Sequence, residues 1–249
     1  MITICLNADK HIEQTINSVI GQSYANIEYI VIDGLSVDNT LNIINKYRDQ
    51  ITVFVSEPDS GIADAMNKGI RWASGDFVVF LHADDYFADT RSLATAVQYL
   101  PSNEGGIDCD ILSCDILYGK QLKRLIPRGF NAWMYLKTGI FHQGTLCSRA
   151  LLQAKNGFDP QFKIAMDYDF FLRCYKSGAK IKYTPHVLAV MRDSGISSRT
   201  DWKGISTRFL EEYRIHIKNG NKASIVFYWI YWLFYLPYRA IKYLACRCK

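Results

Sequence analysis

The sequence predicts an α/β fold: a mostly parallel sheet with helices on both faces, followed by a hydrophobic, helical C-terminal tail. Three observations predict it. Short continuous apolar runs alternate with segments of helical period from residue 2 to residue 85. The composition, 49% hydrophobic and 21% charged over 249 residues, is that of a globular chain with a sizeable core, and it excludes a disordered or low-complexity protein. Residues 225–236 form an unbroken apolar and aromatic run close to the end of the sequence.

Taken in order, residues 2–6 are β-rich, and Ile12, Ile16, Val19 and Ile20 then recur at helical spacing before Gly21. Residues 29–32 are continuously apolar and end in Asp33-Gly34. Such a run suits a strand buried on both faces. Residues 38–47 read as a helix with Asp38 as N-cap, residues 51–55 as a strand and residues 61–73 as a helix. The most apolar strand, 77–81, ends at His82-Ala83-Asp84-Asp85. Ligands of such sheets bind beyond the carboxyl ends of the strands, where Asp33 and Asp84 lie. Past residue 100 come a polar loop at 101–106, a strand at 109–113 and a stretch rich in Trp, Tyr and Phe at 130–141, assigned to binding loops.

The formal net charge is +5, and it is unevenly placed. Residues 213–249 hold no Asp or Glu but contain Arg214, Lys218, Lys222, Arg239, Lys242, Arg247 and Lys249. The body is therefore near neutrality, and no nucleic-acid partner is expected. The division is a domain at 1–212 and a basic, aromatic tail at 213–249. Seven scattered cysteines show neither zinc nor disulfide spacing and suit a reducing compartment. No cleavable leader is read at the start, so a cytoplasmic location is expected.

Three acidic segments carry the chemistry. Asp33, in Val31-Ile32-Asp33-Gly34-Leu35-Ser36, is placed to accept from a base imide or ribose hydroxyl, or else to cap its own turn. Asp84 and Asp85 offer hard oxygen ligands for Mg²⁺ or Mn²⁺, or else an acidic first helical turn. Asp167 and Asp169, before an apolar helical run, are either general-base candidates or acids favoured by a helix N-terminus. His11, His186 and His216 lack partners at ligand spacing and read as ordinary surface or core residues.

Together these segments resemble glycosyltransferase family 2, of the GT-A fold and the type that builds bacterial surface polysaccharides, over roughly residues 2–200. Thr3-Ile4-Cys5-Leu6-Asn7 resembles the family's first strand, and residues 31–40 its Asp-Gly-x-Ser-x-Asp-x-Thr element. Residues 56–69, Ser56-Glu57-Pro58-Asp59 through Gly69, are similar to a stretch after the third strand. The resemblance implies a donor site at Thr3, Asn7, Asp33, Asp59, Asp64, Asn67 and Asp84, and a metal, Mn²⁺ or Mg²⁺, at Asp84 and Asp85. It implies Asp167 as the base, His142 and Gln143 on the acceptor side, and Ser197 in a loop closing over the donor. Two positions depart from the pattern. His82 stands where the family has Asp or Asn, leaving the metal to Asp84 and Asp85, and Met166 replaces the Glu before the base.

The implied function is inverting, metal-dependent transfer of a sugar from a nucleoside diphosphate sugar, a UDP-sugar by the family's habit, to a saccharide or lipid-linked saccharide. Two rivals are weighed. A sugar nucleotidyltransferase would share the sheet and acidic site but needs a Gly-rich, basic phosphate loop after the first strand, which is missing. A degenerate, membrane-associated binding module is motivated by His82 and Met166. The tail is expected at the inner face of the cell membrane. The alternative is a helix docked on the body or on a second subunit, as in a homo-oligomer.

Overall fold

A computed structural model describes residues 1–100, 109–193, 202–219 and 222–247. Strands β1 (Ile2–Cys5), β2 (Ile30–Asp33) and β3 (Val53–Ser56) pair in parallel in that order. Helices α1 (Ile12–Ile20), α2 (Thr40–Asn45) and α3 (Ile62–Trp72) link them to each other and to β4 (Phe77–Val79). A parallel bridge from Ile2 to Phe80 joins β1 to the chain after β4. Every residue of β1 and β2 is buried, as continuous apolar runs require. Successive side chains serve opposite faces. Ile30 and Ile32 pack with Met66 and Ile70 of α3, while Tyr29 and Val31 pack with Ile12, Ile16 and Val19 of α1 and with Ile43 and Ile44 of α2.

The second half of the sheet is mixed, which qualifies the expected parallel arrangement. Beyond β5 (Tyr86–Phe87) and α4 (Ser92–Val97), strand β6 (Ile111–Tyr118) lies between β8 (Thr145–Ser148) and β9 (Ile181–Met191). β6 runs antiparallel to β8 and parallel to β9, and β7 (Lys123–Leu125) folds back antiparallel on β6. Of these pairs β6 and β7 are joined by a short turn, residues 119–122, which permits their antiparallel pairing. Two helices, α5 (Arg149–Ala154) and α6 (Met166–Lys176), follow β8.

Several element ends differ from the sequence reading. The second helix starts at Thr40, with Asp38 just outside it; the Asp38 carboxylate accepts from the amides of Thr40 at 3.0 Å and Asp9 at 3.2 Å, bracing the two turns together. The strand expected at 109–113 runs to Tyr118. The loop at 101–106 lies outside the described residues. Helix α7 (Trp202–Lys218) crosses the boundary drawn between residues 212 and 213 and is followed by α8 (Lys222–Arg247).

Helix α7 is tied to the start of α6 by a buried side chain. The Glu211 carboxylate, 5% exposed, accepts from three successive amides: Lys163 at 2.9 Å, Ile164 at 2.8 Å and Ala165 at 2.9 Å. They lead into α6, whose own N-cap residue, Ala165, offers no side-chain acceptor. A carboxylate there also opposes the positive end of the helix dipole. Glu211→Ala leaves these amides without an acceptor and is expected to lower stability by about 2–4 kcal/mol, with Glu211→Gln intermediate. Urea unfolding of the three proteins measures it.

Candidate active site

The ends of β1, the turn after β4, the start of α3 and helix α7 enclose a cleft of about 660 Å³. Asn7, Asp59 and Asp84, three of the residues named for a donor site, line it. His11, His82 and Lys163 line it as well, and Gly204 and Thr207 of α7 close one side.

The other expected donor residues lie behind this wall. Asp33 is fully buried, and its carboxylate accepts from the Ser36 amide at 2.9 Å, the Ser36 hydroxyl at 2.5 Å and the Ser56 hydroxyl at 2.7 Å. It caps its own turn, one of the two readings its sequence allowed. That turn shapes the cleft, because the Ser36 hydroxyl in turn accepts from the amide of Asn7 at 2.8 Å. Asn7 holds a left-handed backbone, φ 49°, which its short side chain stabilises by accepting from Val37 N–H at 2.9 Å. Gly34 leaves room for the Asp59 carboxylate, which any Cβ at that position would strike.

Thr3 sits in the core, its hydroxyl accepting from Tyr29 at 3.2 Å. Asp64 accepts from the Ser60 amide at 3.0 Å. Asn67 binds both backbone groups of Phe158, at 2.7 and 2.8 Å. The last two therefore brace the start of α3 and the turn before α6 and do not line the cleft. Ser197 lies outside the described residues.

His82, Asp84 and Asp85 bring one donor atom each to within 4.8 Å of one another. Thr15 fixes this turn from α1: its hydroxyl lies 2.9 Å from the carbonyl oxygen of Ala83 and 2.7 Å from that of Asp85. Asp84 faces the cleft, while Asp85 is 2% exposed. The Asp85 carboxylate accepts from the Gln143 amide at 3.1 Å and from Arg192 N–H at 3.0 Å. Burial and the neighbouring Asp84 carboxylate push its pKa up to about 7. The Arg192 guanidinium, stacked 4.8 Å over Tyr86, donates to the Asp84 carbonyl oxygen and to Gln14.

A second group stands beside the first. His142 packs against His82 with ring centroids 4.6 Å apart, and its Nδ1 lies 3.5 Å from Asp167 Oδ2. Residues 141–143 thus reach both groups, with Gln143 on Asp85 and His142 on Asp167. The alternative base, Asp169, is fully buried and engaged by Arg173 at 2.8 Å and Lys218 at 2.9 Å. Asp167, with its side chain 22% exposed, is the accessible acid of α6.

The structure sets His82 beside the two acids named for the metal. His82 was read as a missing ligand, yet its Nε2 is buried without a hydrogen-bond partner, and burial together with His142 holds its pKa well below the ordinary value. The ring is neutral, with a lone pair available. His11 and Lys163 carry no motif that marks them, because only the fold brings them to the cleft.

Comparison with known proteins places this geometry. Residues 1–150 match the model of glycosyl transferase family 2. An uncharacterized glycosyltransferase of Mycobacterium tuberculosis (strain CDC 1551 / Oshkosh) is 34% identical over 175 residues, 70% of this chain and 67% of that protein. A PGL/p-HBAD biosynthesis glycosyltransferase of Mycobacterium bovis (strain BCG / Pasteur 1173P2) is 25% identical over 89% of this chain and 86% of its own length. Among solved structures, a mannosyltransferase from Pyrobaculum calidifontis in complex with GDP-Man and Mn²⁺ superposes with a TM-score of 0.66 at 21% identity, over 88% of this chain and 64% of that one. S. aureus TarS in complex with UDP-GlcNAc does so at 0.65 and 20% identity, over 86% and 69%. These likenesses confirm the GT-A-like α/β fold, and with the family model covering more than half of its length, the chain belongs to glycosyl transferase family 2 and is a glycosyltransferase.

Proposed function

We propose that the protein transfers a hexosyl or N-acetylhexosaminyl group from a nucleoside diphosphate sugar, in the first instance a UDP-sugar, to a hydroxyl of a saccharide or lipid-linked saccharide, with inversion and with Mn²⁺ or Mg²⁺ bound. The observation that carries this reading is the packing of the His82–Asp84–Asp85 cluster against the His142–Asp167 pair beside one cleft. The GDP-Man, UDP-GlcNAc and Mn²⁺ held by the structural neighbours support it, as does the relative named for PGL/p-HBAD biosynthesis.

The donor set fits a divalent ion. A neutral imidazole with an unpartnered nitrogen and two carboxylates give mixed N/O ligation, which Mn²⁺ accepts readily and Mg²⁺ through the oxygens. His82, Asp84 and Asp85 would hold the ion, which would supply charge to bind the diphosphate and stabilise it as a leaving group. Lys163, at the cleft wall, adds a positive charge from the protein.

Asp167 receives the proton of the acceptor hydroxyl. The acceptor oxygen bonds to the anomeric carbon as the bond from that carbon to the diphosphate oxygen breaks, and the nucleoside diphosphate leaves with the electron pair. His142 holds the Asp167 carboxylate in place, and the Glu211 contacts fix the chain that delivers it.

Two tests follow. Asp167→Asn keeps shape but removes the base, so transfer falls by about 10²-fold or more while UDP affinity changes little. Asp84→Ala instead abolishes Mn²⁺-dependent UDP binding. Calorimetry beside a transfer assay separates the two, and near-full transfer by Asp167→Asn would remove the base assignment. The second test uses pH. Below about 7 the Asp85 carboxyl holds a proton that a cation must displace. Mn²⁺ affinity therefore rises with pH by at most about tenfold per unit and levels off above neutrality. Mn²⁺ titrations across that range, in buffers of differing ionisation heat, read both the slope and the proton released, and a flat profile with no proton released overturns displacement of a proton from Asp85.

A further inference from the structure

Helix α8 has two unlike faces. Tyr228 and Trp232 are buried against α7, where Phe209 packs on both rings and the Tyr228 hydroxyl donates to the Phe209 carbonyl oxygen at 2.9 Å. Lys137 lies over Tyr231 and Tyr235 at 4.8 and 5.1 Å, fastening the same side to residues 130–141. The opposite side is bare. Val226, Phe227, Ile230, Leu233, Phe234 and Tyr238 are all exposed, Leu233 at 69% and Phe234 at 72%. At the helical period the bare residues fill one half of the circumference and the packed ones the other. No charged residue interrupts positions 225–238.

We infer that this bare half lies in the interfacial layer of a bilayer carrying anionic headgroups. Charge selects that occupant over a second copy of the chain. Residues 213–249 contain no acid, and Lys222 stands one turn before Val226 while Lys242 stands one turn after Tyr238. Pairing two such strips would bring two basic tails together, whereas anionic headgroups match them. Aromatic and aliphatic side chains mixed on one face, between basic positions, suit the headgroup boundary. Depth is set by the fold. No helix among the described residues is long and apolar enough to cross a membrane, and the other half of α8 is already packed on protein, so the helix lies along the surface.

The test needs neither donor nor acceptor and so stands apart from the catalytic reading. The full chain is floated with vesicles of phosphatidylcholine alone or of phosphatidylcholine with phosphatidylglycerol. Binding to the anionic vesicles, weakened by salt and much lower on phosphatidylcholine alone, is expected. F227S/F234S should bind at least about tenfold more weakly with an unchanged unfolding midpoint, since both rings are exposed. Equal vesicle binding by wild type and variant overturns the inference. So does a wild-type chain that ignores anionic vesicles, or one that forms in light scattering a dimer which the variant abolishes, the last assigning the strip to a second copy.

Discussion

Four carboxylates buried in the protein hold the architecture of the cleft together. An ionised carboxylate removed from water is costly unless its lone pairs meet donors, and each of these meets two or more. Asp33 gathers the turn after β2, Asp85 ties the end of β9 to the turn after β4, Asp169 gathers Arg173 and Lys218, and Glu211 gathers the approach to α6. Each also makes a bond to a segment distant in sequence, Asp33 to Ser56, Asp85 to Arg192, Asp169 to Lys218 and Glu211 to residues 163–165, so the loops around the cleft are fixed in one arrangement. The carboxylates lining the cleft, Asp59 and Asp84, are thereby left available to a ligand.

The first half of the fold was legible because its central strands, β1 and β2, are buried on both faces and so appear as uninterrupted apolar runs. The second half was not, because its strands carry polar residues that tertiary partners satisfy. Asp115 in the middle of β6 breaks the apolar pattern, yet it is fully buried against Arg124 and the Tyr183 hydroxyl. Pro185 and His186 interrupt β9 in the same way.

At the site, the order of the acidic motifs was legible and the direction each side chain takes was not. A carboxylate at a strand end either reaches outward or accepts from its own turn, and local sequence is the same for both. Asp33 and Asp84 occupy equivalent strand ends and resolve the choice oppositely, Asp33 because Ser36 and Ser56 supply hydroxyls to it. His82 gains its meaning from His142, sixty residues later in the chain. Glu211 belongs to no motif, and only the packing of α7 reveals what it does.

Helix α7 touches the cleft through Gly204 and Thr207 near one end and carries the packed rings of α8 through Phe209 and the turns after it. A single rigid rod therefore sets the orientation of the cleft relative to the C-terminal helix. Its length behaves as a gauge: one residue inserted between Thr207 and Phe209 would turn everything beyond by about 100° and shift it by about 1.5 Å. Glu211 would leave its amides and α8 would swing to another side of the molecule. Divergence along this rod is thus confined to substitution, and length variation among descendants of this sequence should fall in the connections outside it.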